Sequence, residues 1–282
     1  MIYRPYAGKI HGGGRTLMDG DLLLAQHAAL TGAAIGLRYF AALAELPQEL
    51  KSDGSVVTEA DRAVEAAIRV VLADGRPGDA ILGEEAGQTG GGSRRWLVDP
   101  IDGTALFVAG DDRWLVLVAL EEAGEIVVGV AAVPAQGRIW CARRGVGAFQ
   151  ADMRGLSLSN ERRISVDRDR PDTLAGSRLG VLPSPDAISP DERERIDPLT
   201  AIASPAPWSR HPALLVATGH LDLAVQTRGQ VWDYGAPSLI VEESGGCFGG
   251  LDGEPLRIGG PALFARSAGL HATALEILNV PG

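Results

Sequence analysis

Two aspartates, Asp99 and Asp102, lie three residues apart in the segment WLVDPIDGTALF, residues 96–107. The apolar residues before Asp99 predict a strand, Pro100 follows the first aspartate, and a glycine-threonine pair begins the next turn. Two carboxylates therefore leave one strand end together. Hard divalent cations such as Mg²⁺ prefer oxygen ligands, and paired carboxylates beside a phosphate are the usual protein part of such a site. The segment thus predicts a site for a metal-bound phosphate.

Two further segments supply acids of the same kind. A short apolar strand predicted at residues 79–83 runs into Glu84 and Glu85, and Asp233 directly precedes the helical pattern of residues 234–244. This last acid occupies the position of an N-cap or first-turn residue of a helix. Four acids from three segments can converge on one site.

Each of these residues also has a purely structural explanation. Asp99 before proline and Asp102 before glycine are common turn formers, and Asp233 alone would be an ordinary helix cap. The segment TEAD, residues 58–61, is typical of a helix N-terminus, with its threonine as cap and Asp61 in the first turn. Only the set of segments together favours chemistry over structure.

Four segments match, in order and spacing, the signatures of one known family. The matches are TEAD at 58–61, GEE at 83–85, DPIDGT at 99–104, and WD at 232–233 followed by EESGG at 242–246. From about residue 21 to its C-terminus, the chain resembles the inositol monophosphatase family of Mg²⁺-dependent, lithium-sensitive phosphatases. The resemblance implies a phosphoric monoester hydrolase with α+β and α/β parts. Its halves would pack as the five-layered αβαβα sandwich of the inositol monophosphatase and fructose-1,6-bisphosphatase type.

The resemblance assigns the acids to a cation site. It implies that Glu84, Asp99 and the main-chain carbonyl of Ile101 hold one Mg²⁺ ion. Asp99 bridges to a second ion, which Asp102 and Asp233 also hold, and two or three ions are expected in all. Paired cations of this kind clamp the attacking water and the leaving oxygen of an in-line displacement.

The resemblance further implies that water is the nucleophile. Thr104 and Asp61 would orient and deprotonate this water, because a hydroxyl hydrogen-bonded to a carboxylate can relay a proton. Glu84 belongs to the same catalytic set. Gly103 and Thr104 would offer main-chain N–H groups to the phosphate at a helix start. Lys51 either contacts the phosphate, as the corresponding lysine of the family does, or is merely solvated.

Two departures from the family pattern concern substrate choice. Gln226 stands seven residues before Asp233, where many inositol-phosphate and histidinol-phosphate enzymes have a glutamate that binds the alcohol or amine. An amide lacks the charge-assisted hydrogen bond to an ammonium, which weakens binding by about 1.5–3 kcal/mol. An alanine and a leucine follow Thr104, where the family has a polar residue and asparagine. Arg228 is a candidate replacement contact, and an exposed loop arginine is the structural alternative.

The substrate remains open at this stage. GRPGD at 75–79, WCAR at 140–143 and Leu223-Ala224 resemble actinobacterial histidinol-phosphate phosphatases most. The resemblance therefore implies a small-metabolite phosphate monoester, such as histidinol phosphate or inositol 1-phosphate. Alternatives are a sugar or nucleoside phosphate of specialised metabolism, or a bisphosphate such as adenosine 3′,5′-bisphosphate or fructose 1,6-bisphosphate. A bisphosphate needs added basic contacts, and the sequence shows no clear ones. A non-catalytic binding protein is disfavoured, because every expected metal ligand is present.

The composition favours a compact soluble enzyme. With 26 basic and 36 acidic residues in 282, the net charge is −10, which disfavours a basic nucleic-acid-binding surface. No apolar run approaches the roughly 18 residues that cross a bilayer, so no membrane association is expected. Two cysteines without a disulfide framework, and no signal-like N-terminus, favour the cytoplasm. The resemblance implies a homodimer.

The pattern of elements predicts two domains. Residues 19–155 should form an α+β domain with most metal ligands, and residues 156–282 an α/β domain that contributes Asp233. Residues 1–18 are expected to be a disordered extension. The predicted helices are 21–46, 58–73, 209–219 and 234–244, and the predicted strands are 79–83, 95–98, 114–121, 126–133, 138–143, 176–182 and 221–226.

Overall fold

The computed structural model describes residues 20–43, 48–50, 56–254 and 259–279. Its helices are α1 (Gly20–Ala41), α2 (Glu59–Gly75), α3 (Thr104–Val108), α4 (Pro190–Thr200), α5 (Pro212–Ala217), α6 (Val231–Glu243) and α7 (Ala268–Leu278). Lys51 and residues 1–18 lie outside the described residues, so the expectations for them stay predictions.

The strands form two larger sheets and one short hairpin. They are β1 (Gln48–Leu50), β2 (Val56–Thr58), β3 (Ala80–Gly83), β4 (Gly87–Thr89), β5 (Arg94–Asp102), β6 (Leu115–Glu122), β7 (Glu125–Val133), β8 (Arg138–Arg143), β9 (Gly147–Arg154), β10 (Ser157–Arg163), β11 (Arg178–Leu182), β12 (Ser204–Pro205), β13 (Leu223–Gln226), β14 (Cys247–Gly250) and β15 (Ala262–Ala265). The large sheet has the order β10-β9-β8-β7-β6-β5-β3-β4, the small sheet has the order β12-β11-β13-β15-β14, and β1 pairs with β2.

The central strands of the large sheet are buried on both faces, and β5 shows how the sequence achieves this. Trp96 and Val98 point into a core that α1 and α2 complete, whereas Leu97 points into a second core shared with α5 and α6. Successive residues of a strand face opposite sides, so a continuous apolar run is what a strand covered on both faces requires. β3 and β5 are parallel, and β5 to β10 form an antiparallel meander.

The small sheet completes a five-layered arrangement. One of its faces packs on α5 and α6, and the other packs on α4 and α7. The layers are therefore α1 with α2, the large sheet, α5 with α6, the small sheet, and α4 with α7. This order confirms the expected αβαβα sandwich. Within the described ranges, no helix combines the length and the apolarity needed to cross a membrane.

Several elements differ from those expected. β5 continues to Asp102 instead of ending at residue 98, and α1 ends at Ala41 instead of residue 46. The predicted helix at 209–219 is the shorter α5. α4 lies in the stretch 183–207, for which no helix was expected. The helix forms there because Ser189 caps it and exchanges hydrogen bonds with Glu192.

The meander is also longer than predicted. β9 and β10 follow the expected strand at 138–143 and were not predicted. β10 lies beyond the division placed between residues 155 and 156 while still belonging to the large sheet. β10 is an exposed edge strand paired with β9, and it lacks the alternation of apolar residues that marks a half-buried strand. The division itself stays a prediction.

Candidate active site

An irregularity in β5 brings the first two acids together. The pairing of β5 with β6 is regular as far as Asp99 and resumes at Asp102, which lies opposite Leu115. Pro100, between them, has no N–H group to donate to the ladder. An irregular step of this kind re-aims side chains that regular alternation would fix. Asp99 is buried, with 2% of its surface exposed, and Asp102 is half-buried.

Three carboxylates meet at this strand end. Asp99, Asp102 and Asp233 each place one carboxylate oxygen within 4.8 Å of the others. Burial raises the pKa of Asp99 and Asp102 well above their usual values, and the charges of neighbouring acids, Glu84 among them, raise each pKa further. One oxygen of Asp99 is buried without a hydrogen-bond partner among the described residues. Repelling carboxylates with an unsatisfied oxygen are a donor set that fits a hard divalent cation.

Asp233 reaches the cluster from α6, which packs between the two sheets. The helix begins at Val231, three residues before the predicted start, so Asp233 lies in its first turn. There its carboxylate accepts a hydrogen bond of 2.7 Å from the main-chain N–H of Gln230. An acid in this position is favoured by the helix dipole, which makes the start of α6 a stable support for a carboxylate.

Glu84 lies close enough to the cluster for its charge to raise the pKa of both Asp99 and Asp102. The turn that carries it is held by Glu65, which was not among the expected site residues. The Glu65 carboxylate accepts hydrogen bonds from the main-chain N–H groups of Glu85, at 2.7 Å, and Ala86, at 3.0 Å. The four described acids therefore converge, and a fifth acid fixes the turn of one of them.

Glu65 was missed because it carries no local sequence signal. It lies on α2, is 1% exposed, and forms a 2.7 Å ion pair with Arg69 one turn later. Such a pair at helical spacing is more often a solvated surface feature. The structure shows why Gly83 precedes this turn, because a methyl group at this position would overlap the Glu65 carboxylate.

The structure places Thr104 next to Asp61. The Thr104 hydroxyl has two acceptors, the carbonyl oxygen of Ile101 at 3.0 Å and the Asp61 carboxylate at 3.5 Å. A hydroxyl has one proton, so it donates to one of them at a time. Asp61 is buried in the first turn of α2. Gly103 precedes α3 with φ 82°, a left-handed conformation that favours glycine.

The structure does not add Arg228 to the cluster. Its guanidinium lies 2.6 Å from both carboxylate oxygens of Glu192 on α4 and also donates to the carbonyl of Ala187. Burial opposes ionisation of Glu192, but hydrogen bonds from Ser189, Arg228 and Thr227 outweigh it and lower its pKa to about 2. A substrate contact by Arg228 stays a prediction.

Gln226 occupies the end of β13, in register with Leu182 on β11. It is buried, and its side-chain oxygen has no hydrogen-bond partner among the residues that the structure describes. A buried amide oxygen without a partner is available to accept a hydrogen bond from a ligand. Its predicted role in substrate binding remains open to test.

Known proteins are similar to this chain in sequence and in fold. The family model for inositol monophosphatases matches residues 18–279. Histidinol-phosphatases of Streptomyces coelicolor and Mycobacterium tuberculosis are each 38% identical, over 92% of this chain and 97% and 98% of their own lengths. The solved structure of an inositol monophosphatase from Zymomonas mobilis has a TM-score of 0.77 at 28% identity, over 94% of this chain and 100% of that one.

The chain belongs to the inositol monophosphatase family. Members of this family are metal-dependent phosphomonoesterases, so the expected enzyme class, a phosphoric monoester hydrolase, is confirmed.

Proposed function

We propose that the protein hydrolyses the phosphate monoester of a small metabolite, with Mg²⁺ as cofactor and water as nucleophile. The observation that carries the proposal is the convergence of Asp99 and Asp102 from the large sheet with Asp233 from α6. Oxygen-only donors of this kind suit Mg²⁺ better than softer metals. Histidinol phosphate and inositol 1-phosphate are the first candidate substrates, because relatives carry those names.

The acids divide between two ions in this proposal. Glu84, Asp99 and the carbonyl of Ile101 would hold the first, and Asp99, Asp102 and Asp233 the second; a third ion is compatible with the proposal. When bound, the cations neutralise phosphate charge and lower the pKa of the attacking water.

The remaining steps belong to side chains and main-chain groups of the protein. The Thr104 hydroxyl takes a proton from the attacking water and gives its own proton to the Asp61 carboxylate. The same hydrogen bonds hold the water in line with the phosphorus. The 3.5 Å separation of the two side chains supports such a relay. Main-chain N–H groups of Gly103 and Thr104 at the start of α3 orient the phosphate oxygens. A homodimer and a cytoplasmic location complete the proposal.

The alternatives are other esters. A sugar or nucleoside phosphate of specialised metabolism, or a bisphosphate, fits the same acids. The names of relatives favour histidinol phosphate, whereas the neutral Gln226 counts against its ammonium group and favours these alternatives. A binding protein without activity is disfavoured, because the acids, the threonine and the glycine of the site are all present.

Phosphate release by the purified protein tests the proposal. The substrates are histidinol phosphate, inositol 1-phosphate, fructose 1,6-bisphosphate, adenosine 3′,5′-bisphosphate, and several sugar and nucleoside monophosphates, each with Mg²⁺ and with EDTA. We expect turnover of at least one ester that EDTA abolishes. Turnover in the presence of EDTA would contradict the metal assignment. The absence of phosphate release from every ester would contradict the proposal that the protein is an enzyme for this substrate class.

A further inference from the structure

An arginine groove lies at the same end of the large sheet as the acidic cluster. It has a volume of about 530 Å³, and its lining includes Asp112, Arg113, Gln136, Arg138, Trp208 and Arg210. Asp102 pairs with Leu115, two residues beyond Arg113, and Arg138 begins β8, three strands from β5. Because neighbouring strands lie about 4.8 Å apart, the groove spans roughly 5–15 Å from the cluster. A small metabolite can reach from one to the other.

Two of the arginines have carboxylate partners. Arg113 holds both oxygens of Asp111, at 2.8 and 2.6 Å, and lies 4.2 Å above the ring of Trp208. Arg138 forms a 2.7 Å ion pair with Asp152. These two guanidiniums line the groove, and the carboxylates of Asp111 and Asp152 balance much of their positive charge.

Arg210 differs from them. It stacks on Trp140 at 5.7 Å and donates one hydrogen bond of 3.2 Å to the side-chain oxygen of Gln136. In the part of the chain that the structure describes, it has no ion pair with a carboxylate. Asp112 also lines the groove, where its carboxylate accepts a hydrogen bond from Gln136 at 3.2 Å. A guanidinium has five N–H donors, so most donors of Arg210 remain available to a ligand.

The electrostatic surroundings of Arg210 agree with this geometry. Burial lowers its pKa, the charge of Arg138 lowers the pKa further, and Asp112 acts in the opposite direction. A half-buried cation beside a second cation is stabilised when an anion binds between them.

The segment that carries Arg210 also lies beside Gln226. Arg210 directly precedes His211, whose ring lies beside Gln226, and the indole N–H of Trp208 donates to the carbonyl of Val181 at 3.1 Å. Burial lowers the pKa of His211 to about 4, so this histidine is neutral at pH 7. Gln226 is neutral as well. Neither side chain repels an anion from the groove.

We propose that the arginine groove binds a second anionic group, a carboxylate or a phosphate, of the ester whose phosphate the acidic cluster hydrolyses. Arg210 makes the main contact. The inference rests on the proposed function and narrows it, because the favoured substrate is then anionic at both ends. An ester with an ammonium at its far end, such as histidinol phosphate, is disfavoured.

Calorimetric titration with inorganic phosphate in EDTA tests the groove without catalysis. Without a cation, the acidic cluster repels phosphate, so binding reports the arginines. Arg210→Gln should weaken binding about tenfold or more, equivalent to about 1.4 kcal/mol. Arg144→Gln is the matched control, because Arg144 follows the opposite end of β8 and pairs with Glu242. No binding by the wild type, or equal affinity in the Arg210 variant, would overturn the proposal.

A kinetic comparison with Mg²⁺ identifies the source of the anion. Fructose 1,6-bisphosphate and fructose 1-phosphate differ by one phosphate. Arg210→Gln should lower kcat/KM for the bisphosphate about tenfold more than for the monophosphate, mainly through KM. Equal losses on both esters would overturn the substrate assignment. Turnover of no ester in the full panel would instead contradict the proposed function, while the calorimetric result would still decide whether Arg210 binds an anion.

Sedimentation separates this proposal from an interface between two copies. If Arg210→Gln changes the sedimentation coefficient but not the affinity for phosphate, the groove serves contact between subunits and the proposal is wrong. An unchanged sedimentation coefficient with weakened phosphate binding supports it.

Discussion

At the scale of single residues, replacing the buried carboxylate of Asp99 should greatly reduce kcat but should not reduce the free energy of unfolding in EDTA. Asp99→Asn should lower kcat by at least three orders of magnitude, about 4 kcal/mol of barrier, because the ligand proposed to bridge the two cations is lost. In EDTA the variant should be no less stable than the wild type, since the change removes one of several repelling buried charges. Phosphate release and thermal unfolding in EDTA measure the two effects.

Asp74→Asn provides the control for Asp99. Asp74 is an exposed acid on α2, so its replacement should change neither property. Wild-type turnover in the Asp99 variant would contradict the cation assignment.

Thr104 tests the proton relay. Thr104→Ala should lower kcat by about 10²- to 10⁴-fold, the usual contribution of a positioned proton-transfer group. Thr104→Ser keeps a hydroxyl and should recover most of the rate. Steady-state kinetics at saturating substrate and Mg²⁺ measure both. If the serine variant is as slow as the alanine variant, the hydroxyl does not carry the effect.

The residues of the site differ in how far the sequence could predict them. Glu84 follows a strand, and Asp99 and Asp102 lie at the end of another; local apolar runs reveal both strands, and the resemblance assigned the roles of the three acids. The role of Glu65 could not be predicted, since its carboxylate holds a turn that lies 20 residues away along the chain. Arg228 was a reasonable candidate from the sequence, but the position of Glu192 beside it becomes clear only once α4 is in place.

At the scale of elements, the close approach of α2 to the turn after β3 supports Glu84. Gly83→Ala should destabilise the fold by about 1–3 kcal/mol, because the added methyl group would displace the Glu65 carboxylate. It should also weaken Mg²⁺ binding. Gly78→Ala is the matched control, since a methyl group there meets no atom within 4 Å. Urea unfolding and Mg²⁺ titration measure the effects, and equal behaviour of the two variants would contradict the role given to Glu65.

The start of α5 should make stability depend on pH. His211 caps this helix by accepting the main-chain N–H of Ala213 at 3.2 Å, and burial lowers its pKa to about 4. The unfolded chain, with a histidine pKa of about 6.5, takes up the proton first as pH falls. The stabilisation is therefore present above pH 6.5 and is lost between about pH 6.5 and 4.

His211→Asn keeps a good capping side chain and removes the titration. Between pH 7 and pH 5, the wild type should lose about 2 kcal/mol more unfolding free energy than this variant. Urea unfolding at the two pH values measures the difference. Parallel pH dependence in both proteins would show that His211 does not stay neutral in the fold.

Element prediction succeeded where patterns were local and failed at edges. The strands before Glu84 and Asp99 were expected from their apolar runs. α4 had a readable signal, because Ser189-Pro190-Asp191-Glu192 is a capping sequence, although the surrounding prolines masked it. β10 had no such signal, because its backbone pairing with β9 defines it more than its own side chains do.

At the scale of the whole molecule, bound cations should stabilise both sheets together. At a Mg²⁺ concentration about a hundredfold above Kd, binding adds about 2.7 kcal/mol. For a chain of this size, the Tm should rise by about 5 °C. Thermal unfolding with Mg²⁺ and with EDTA measures the shift, and Asp99→Asn should abolish most of it. A shift of equal size in that variant would place the cations elsewhere.

The layer arrangement was predictable from the resemblance, whereas the arginine groove was not. Arg113, Arg138 and Arg210 come from three separate segments, and no local spacing relates them. Their association depends on the turn between β7 and β8 meeting the segment before α5. This explains why the sequence showed no clear basic contacts for a second anionic group.

The supply of acids from two parts of the chain has a consequence during synthesis. The last strand of the large sheet ends at Arg163. Asp233 is made later, after three of the five strands of the small sheet, β11, β12 and β13. Every strand of the large sheet, with Asp99 and Asp102, is therefore synthesised before the last carboxylate is available. Under the proposed assignment, cation loading waits for the start of α6, so a translation product truncated before residue 233 would remain poorly metallated and inactive.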